Sequence, residues 1–237
     1  MGCGPESRYS EGVKSMANVR FTRDEVILVL DVLYSARGES LSPRSKEIVS
    51  LSKLLNQLPI HPEDKRPENF RNCKGICNQI NQFKRGYWEN GTSRHLGSMF
   101  FLVTSEYEQR YEELHYIAQA IRRNLPYYTQ IPFGSALEQD GFPEGALLGH
   151  LHRMVELRDG QKVPLEERCA VCQLEPAIMY RSCGPLLQNH LLVPPEELDG
   201  GKKYGTHEFM TVCRNCHAAL HRFRPWLRRE TCEELFR

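Results

Sequence analysis

The 237-residue chain lacks several features that would assign it to a simple class. It has no run of about 18 consecutive apolar residues, which excludes a membrane-spanning helix, and no secretory signal. It has no excess of one charge, since 31 Lys and Arg residues face 30 Asp and Glu residues. Its 40% hydrophobic and 26% charged content is unlike that of disordered, collagen-like or coiled-coil chains. We therefore expect a globular protein of one or two domains in the cytoplasm.

The cysteines are the first feature that points to chemistry. Their number is nine, and an odd count argues against a disulfide scaffold. Four of them form two Cys-x-x-Cys pairs, Cys169 with Cys172 and Cys213 with Cys216. Two such pairs can present four thiolates to one Zn²⁺ ion, which leaves no open coordination position. The spacing therefore predicts a structural Cys₄ zinc site, with unligated buried cysteines as the alternative.

A pair of histidines follows the second cysteine pair. His217 and His221 are four residues apart, so in a helix they share one face and can clamp a divalent cation. The alternative is a zinc-ribbon helix with two surface histidines. Upstream, the apolar run around Asn189 and His190 predicts a strand, and a second strand is predicted from Glu208 to the cysteines. A strand, a second strand and a helix are therefore expected around these histidines.

Apolar periodicity divides the chain into four parts. Thr22 and Glu25 form a capping-box pattern at the start of the first predicted helix, which Gly38 ends. Three further helices are predicted over 43–58, 69–83 and 104–124, and a short linking helix over 146–157. The predicted parts are a disordered leader (1–18), a helical N-terminal domain (19–125), a linker (126–162) and a C-terminal domain (163–237).

The near-zero net charge conceals two basic segments. Lys65–Trp88 has six Lys or Arg residues and one acid, and Lys202–Arg229 has seven and one acid. Because acids are not interspersed, these segments predict contacts with DNA phosphates rather than a merely solvated face. The predicted DNA-binding residues are Lys65, Arg66, Arg71, Lys74, Lys84, Arg85, Arg214, Arg222, Arg224, Arg228 and Arg229.

The C-terminal motifs resemble those of the HNH, or ββα-metal, nucleases, and of the McrA-type bacterial endonucleases in particular. The likeness is specific in the last 75 residues and softer before them. It is carried by Cys169–Cys172, Tyr180, Gln188–Pro195 and Val212–His221. It extends upstream through Phe142–Gly145, His150, His152, Glu156–Asp159, Leu51–His61 and Phe70–Gly75.

This resemblance implies an α+β fold, with a helical N-terminal recognition domain and a C-terminal ββα-metal nuclease domain that contains the Cys₄ zinc. His190 would be the general base that takes a proton from water. Asn189, His217 and His221 would hold the catalytic cation, Mg²⁺ or another divalent metal. Glu208 would orient His190, and His207 could replace it if the strand register shifts by one residue.

The resemblance also implies a function. The chain would be a metal-dependent DNA endonuclease of the restriction type, acting on double-stranded DNA as a homodimer. A modified target such as 5-methylcytosine is implied by the likeness, and an unmodified sequence stays open. Two alternatives remain: a non-catalytic zinc-dependent DNA-binding protein or regulator, and a homing or toxin-like nuclease.

Overall fold

The fold is helix-rich, with one small sheet. A computed structural model describes residues 19–36, 40–89, 98–132, 145–180 and 186–232. It confirms an α+β architecture with a two-stranded sheet. None of the helices in these ranges is both long and apolar enough to cross a membrane. The predicted leader, 1–18, and the predicted helix end at Gly38 lie outside the described residues.

The N-terminal half consists of helices, and the first begins as predicted. The backbone N–H of Thr22 donates to the Glu25 carboxylate at 2.8 Å, which is the reciprocal half of a capping box. The helices in this half are α1 (Arg23–Ser35), α2 (Lys46–Gln57), α3 (Cys73–Phe83), α4 (Ser98–Tyr107), α5 (Tyr111–Arg123) and α6 (Leu125–Tyr128). A 3₁₀ turn (Glu63–Lys65) precedes α3, and a π-helical turn (Lys84–Glu89) follows it.

Three helix boundaries differ from the sequence prediction for local reasons. The helix predicted over 104–124 is two helices, because the Arg110 guanidinium bonds the Glu106 carbonyl at 3.2 Å and satisfies the end of α4. Helix α2 starts three residues late, since Ser45 bonds back to the Ser42 carbonyl in a turn. Helix α3 starts after Asn72 and not at residue 69, because the Asn72 side chain accepts from Gly75 N at 2.7 Å and caps the helix there.

The segment predicted as a short linking helix is a buried helix, α7 (Ala146–Gly160). Its first two N–H groups, those of Ala146 and Leu147, donate to the Asp24 carboxylate of α1 at 3.0 and 3.1 Å. Gly145 precedes them with φ 103°, a conformation that favours glycine. Burial raises the pKa of Asp24 to about 6. Helix α1 therefore fixes where α7 begins.

The C-terminal part contains the only sheet of the described residues. Its elements are α8 (Pro176–Met179), β1 (Leu187–Leu191), β2 (Phe209–Cys213), α9 (Arg214–Leu220) and α10 (Arg229–Cys232), with 3₁₀ turns at Pro195–Glu197 and Thr206–Glu208. The strands are antiparallel, and His190 pairs with Met210. Helix α7 covers the outer edge of β1, where the Leu191 N–H donates to Glu156 at 2.8 Å.

Two hydrophobic cores stabilise the molecule. The main core joins the N-terminal helices and α7 to Leu191, Leu198, Tyr204 and Phe209 of the C-terminal part. It therefore crosses the predicted boundary at residue 163, which stays a prediction. The second core is small and consists largely of cysteines and hairpin residues: Cys169, Val171, Met210, Val212, Cys213, Cys216, Leu220 and Cys232.

Two predicted DNA contacts are part of the fold instead. Arg71 is buried and forms two bonds to Glu25, at 2.6 and 2.9 Å, while its guanidinium lies over the Phe21 ring at 3.7 Å. Arg66 donates to three carbonyls, including that of Leu58 at 2.7 Å, just after α2. The prediction for Arg71 is wrong because its charge is paired and inaccessible. Arg66 donates its N–H groups to carbonyls at and just after the C-terminus of α2.

We expect Arg71→Ala to lower the free energy of unfolding by about 3–5 kcal/mol, because the buried Glu25 carboxylate loses its main partner. Urea denaturation followed by circular dichroism measures this change. Lys74→Ala, at an exposed position on α3, is the matched control and should change it by less than about 0.5 kcal/mol. Equal effects of the two substitutions would contradict the structural role of Arg71.

Candidate metal centres

The four predicted zinc ligands come together in one cluster. Their sulfur atoms lie within 4.8 Å of one another. Cys172 Sγ and Cys213 Sγ are 3.8 Å apart, and a tetrahedral ion with Zn–S bonds of 2.3 Å requires an edge of about 3.8 Å. Cys169 and Cys172 lie in a turn before the sheet, while Cys213 and Cys216 lie where β2 passes into α9. The described residues thus confirm a Cys₄ cluster that can hold a metal such as zinc.

Backbone N–H groups support the thiolate form of one ligand, Cys169. Cys172 N and Cys216 N each lie 3.5 Å from the sulfur of the first cysteine of their own pair, Cys169 and Cys213. Burial alone would raise the pKa of Cys169, but backbone N–H groups hold it below its ordinary value. Burial raises the pKa of Cys172 and of Cys216. Since a metal binds the thiolate and not the thiol, these two cysteines would release their protons when a metal binds.

A second cluster combines the histidines with an unexpected carboxylate. Donor atoms of Glu156, His190, His217 and His221 all lie within 4.8 Å of one another. Helix α9 and the turn that follows it supply two histidines, β1 supplies His190, and α7 supplies Glu156. Three separate elements therefore converge on one point.

The spacing of this Glu-His₃ cluster fits a tetrahedral ion. His190 Nδ1 and His217 Nε2 lie 3.2 and 3.3 Å from a Glu156 oxygen, and His221 Nε2 lies 3.2 Å from His217 Nε2. A tetrahedral ion with bonds of 2.0–2.1 Å to nitrogen or oxygen requires edges of about 3.3–3.4 Å. His221 Nε2 is slightly farther from Glu156, at 3.7 Å. Three imidazoles favour Zn²⁺ or another transition metal over Mg²⁺, which prefers oxygen ligands.

The protonation states of the cluster also suit a cation. Burial lowers the pKa of His190 to about 4, so its imidazole is neutral at physiological pH. Burial alone would raise the pKa of Glu156, but the surrounding histidines hold it well below its ordinary value. Neutral imidazole and ionised carboxylate are the forms that bind metals.

One side of the cluster is closed by rings. The Trp226 indole stacks on the His190 imidazole with centroids 5.4 Å apart, and its N–H donates to the Leu192 carbonyl at 3.0 Å. His152, fully buried on α7, lies with its ring 5.1 Å from that of His221. These contacts fix the orientation of the imidazoles, as outer-shell groups do in metal sites.

Asn189 does not belong to the Glu-His₃ cluster. Adjacent residues of a strand point to opposite faces, so Asn189 and His190 do not reach the same ion. The Asn189 amide donates to the Gly160 and Val163 carbonyls at 2.9 and 2.8 Å and accepts from Thr211 at 3.1 Å. The expectation that it binds the catalytic metal is not met, and its role is to join β1 to the end of α7.

The predicted catalytic pair is also arranged differently. The Glu208 carboxylate bonds Lys202 Nζ at 2.9 Å and Gly205 N at 2.8 Å, and its carbonyl bonds Leu192 N. His207 is largely exposed. The partner of His190 is therefore Glu156, while His190 itself is almost fully buried inside the cluster. Its position is that of a metal ligand and not of a base that meets a water.

Sequence reasoning missed Glu156, although it carries a recognisable signal. His152 and Glu156 are four residues apart and therefore share one face of α7, which is the same spacing as the helix histidines. The sequence predicts a linker over this segment and assigns neither residue a role in metal binding. A second helix with an i, i+4 pair of metal-binding residue types is the pattern that could have found it.

Of the remaining predicted DNA contacts, seven are exposed at the surface. They are Lys65, Lys74, Arg85, Arg214, Arg222, Arg228 and Arg229. Arg224 bonds the His221 carbonyl at 3.2 Å, and Arg229 bonds the Phe209 carbonyl, so both also hold the chain around the hairpin. Lys84 is half-buried. The exposed set is smaller than the sequence predicts.

The open side of the Glu-His₃ cluster faces a cavity of about 620 Å³, lined by Glu156, His217 and His221 together with Arg153 and Arg222. A cation in the cluster would thus be accessible to an anionic ligand. The Cys₄ cluster, in contrast, has no residue in this lining.

Compared with known proteins, the chain matches no protein-family model, no curated protein and no solved structure.

Proposed function

We propose that this chain is a metal-dependent DNA endonuclease in which the Glu-His₃ cluster is the catalytic centre and the Cys₄ cluster is structural. The observation that carries this proposal is the opening of the Glu-His₃ cluster into a cavity with two arginines. Structural zinc sites are closed by four protein ligands, whereas catalytic sites keep a position for water or substrate. In this proposal Glu156, His190 and His217 would hold the ion, and His221, which lies farther from Glu156 at 3.7 Å, would give up its place to the substrate.

The chain's own residues would divide the work as follows. Glu156, His190 and His217 hold the cation, which supplies Lewis-acid stabilisation of the phosphoryl oxygens and makes water a stronger nucleophile. Trp226 excludes solvent from the inner side of His190. The seven exposed cations named above would bind the phosphate backbone without reading sequence.

Double-strand cleavage would require a second active site. In this proposal a second copy of the chain supplies it, since symmetric dimers match the symmetry of duplex DNA. The proposal includes restriction of DNA with either a modified or an unmodified target. The likeness to the McrA-type endonucleases supports this part.

One observation favours the alternative, a metal-dependent DNA-binding protein without catalysis. The predicted general base, His190, is almost fully buried, and among the described residues the histidines of the cavity lining are His217 and His221, which belong to the cluster. Activity would then depend on the cation alone to activate water. The two functions make opposite predictions for cleavage and the same prediction for binding.

Plasmid cleavage by the purified full chain tests the proposal. We expect nicking or linearisation with Mn²⁺, Co²⁺, Ni²⁺ or Zn²⁺, on DNA that is either methylated or unmethylated. His217→Ala should lower the rate at least about 100-fold, because the cation's stabilisation is worth several kcal/mol. Arg44→Ala, at an exposed position in the turn before α2, is the control. DNA binding without cleavage under every metal would support the alternative function.

A further inference from the structure

The cavity beside the Glu-His₃ cluster is lined by residues of two chemical kinds. Arg153 of α7 and Arg222, just after α9, are cationic and lie in the lining with the cluster residues; they are called the arginine side here. Leu157, Leu165 and Leu187 of the same lining are apolar and are called the leucine side. A site that bound only phosphate would need the arginines alone, so the leucines require their own explanation.

The arginine side is suited to an anion. Both arginines are exposed, and Arg222 donates to the Ala218 carbonyl at 3.3 Å. Glu156 is the one carboxylate among the described lining residues, and it belongs to the metal cluster. Guanidinium groups bind phosphate oxygens through paired hydrogen bonds. This side therefore offers an anion two cationic contacts in addition to the cluster.

The leucine side is exposed to an unusual degree. Leu157 and Leu165 are 59% and 46% exposed, which places them among the most exposed large apolar side chains of the described residues. Both line this one cavity, and Val163 lies with them. Apolar side chains grouped at the mouth of a polar site indicate a ligand with an apolar part.

We propose that this cavity is a nucleotide subsite, in which Arg153 and Arg222 bind the phosphate and the leucine side contacts the sugar and base. The inference rests on the proposed function in taking a phosphodiester as the substrate. A volume of about 620 Å³ lies in the range that accommodates a drug-sized ligand such as a mononucleotide. The side-chain amides of Gln161 and Gln188 lie in the same lining and can bond the edge of a base.

The subsite has a consequence for the form of the DNA that binds. A base that is stacked and paired in a duplex cannot enter a cavity, and it must first leave the stack. The nucleotide beside the phosphate would therefore bind unpaired. A single-stranded or extrahelical nucleotide costs less to place there than one in an intact duplex.

Calorimetric titration of the full, metal-loaded chain tests the subsite without requiring cleavage. The three probes are inorganic phosphate, deoxyribose 5-phosphate and thymidine 5′-monophosphate. We expect thymidine 5′-monophosphate to bind at least about tenfold more tightly than deoxyribose 5-phosphate, because contacts between a base and apolar side chains are worth that much. Similar affinities for all three probes would overturn the proposal.

Variants separate the contribution of the arginine side to binding from that of the leucine side. Arg153→Ala and Arg222→Ala should weaken all three probes about tenfold or more, since each removes charge-assisted bonds. Leu165→Ser should remove the preference for the nucleotide while leaving phosphate binding unchanged. Ile178→Ser, at an exposed position on α8 that does not line the cavity, is the matched control. A leucine variant that keeps the nucleotide preference would also overturn the proposal.

The outcomes distinguish this inference from the proposed function. Nucleotide selectivity without plasmid cleavage would support the subsite and refute the nuclease. Cleavage by a chain that binds phosphate and nucleotide equally would support the nuclease and refute the subsite.

Discussion

Cys216→Ser is expected to release the metal of the Cys₄ cluster and to unfold the segment around the hairpin. Cys216 is buried, and five of the eight buried residues of the second hydrophobic core are metal-cluster cysteines or residues next to them in the chain. A two-stranded sheet does not provide enough buried surface to be stable alone. Structural zinc contributes about 10–16 kcal/mol of binding free energy in comparable small sites, so loss of a ligand removes most of what holds this core together.

Metal analysis and limited proteolysis measure this effect. The variant should lose the Cys₄ metal and become sensitive to protease within residues 163–232, while the helices of the main core stay protected. Cys73→Ser, a half-buried cysteine on α3 outside the cluster, should retain full metal content. A Cys216→Ser chain with normal metal content and normal protection would refute the assignment of this cluster.

Glu156→Gln is expected to empty the second centre while the first stays intact. Glu156 is the one negative ligand, and an amide brings no charge to balance a divalent cation. Changes in outer-shell groups alone cost 10–100-fold in metal affinity, so the loss of a ligand's charge should cost at least about 100-fold. Cleavage should decline in proportion, because the cation is the catalytic group in the proposed function.

The neighbouring residue Asn189 provides the matched control. Asn189→Ala should retain both metals, because its amide binds Gly160, Val163 and Thr211 and not the cluster. It should lower the free energy of unfolding by about 1–3 kcal/mol, since buried carbonyls lose their donor. Equilibrium dialysis against Zn²⁺ and a urea titration separate these outcomes. Loss of the second metal in Asn189→Ala would show that the expected ligand role was correct after all.

Much of the metal chemistry could be predicted from spacing alone. The Cys-x-x-Cys pairs and the His217 and His221 spacing each bring donors together within one turn, so local geometry determines their partners. The strand was also predictable from its apolar run. Strand alternation predicts that Asn189 and His190 point to opposite faces of the sheet, which fits the bonds from the Asn189 amide to the Gly160 and Val163 carbonyls.

The rest depended on long-range packing that the sequence does not reveal. Glu156 reaches the cluster only because Asp24 binds the N-terminus of α7 and the Leu191 N–H binds Glu156 itself. The basic segment predicts Arg71 as a DNA contact, because no local sequence pattern indicates that it is buried against Glu25. Each of these pairings joins residues that are far apart in the chain.

Anomalous X-ray diffraction at the zinc absorption edge tests whether the chain holds two different metal centres. Crystals of the chain grown with Zn²⁺ should give two anomalous peaks for each molecule. One should lie among Cys169, Cys172, Cys213 and Cys216, and the other among Glu156, His190, His217 and His221. A single peak at the cysteines, with the histidine cluster empty at saturating Zn²⁺, would contradict the account.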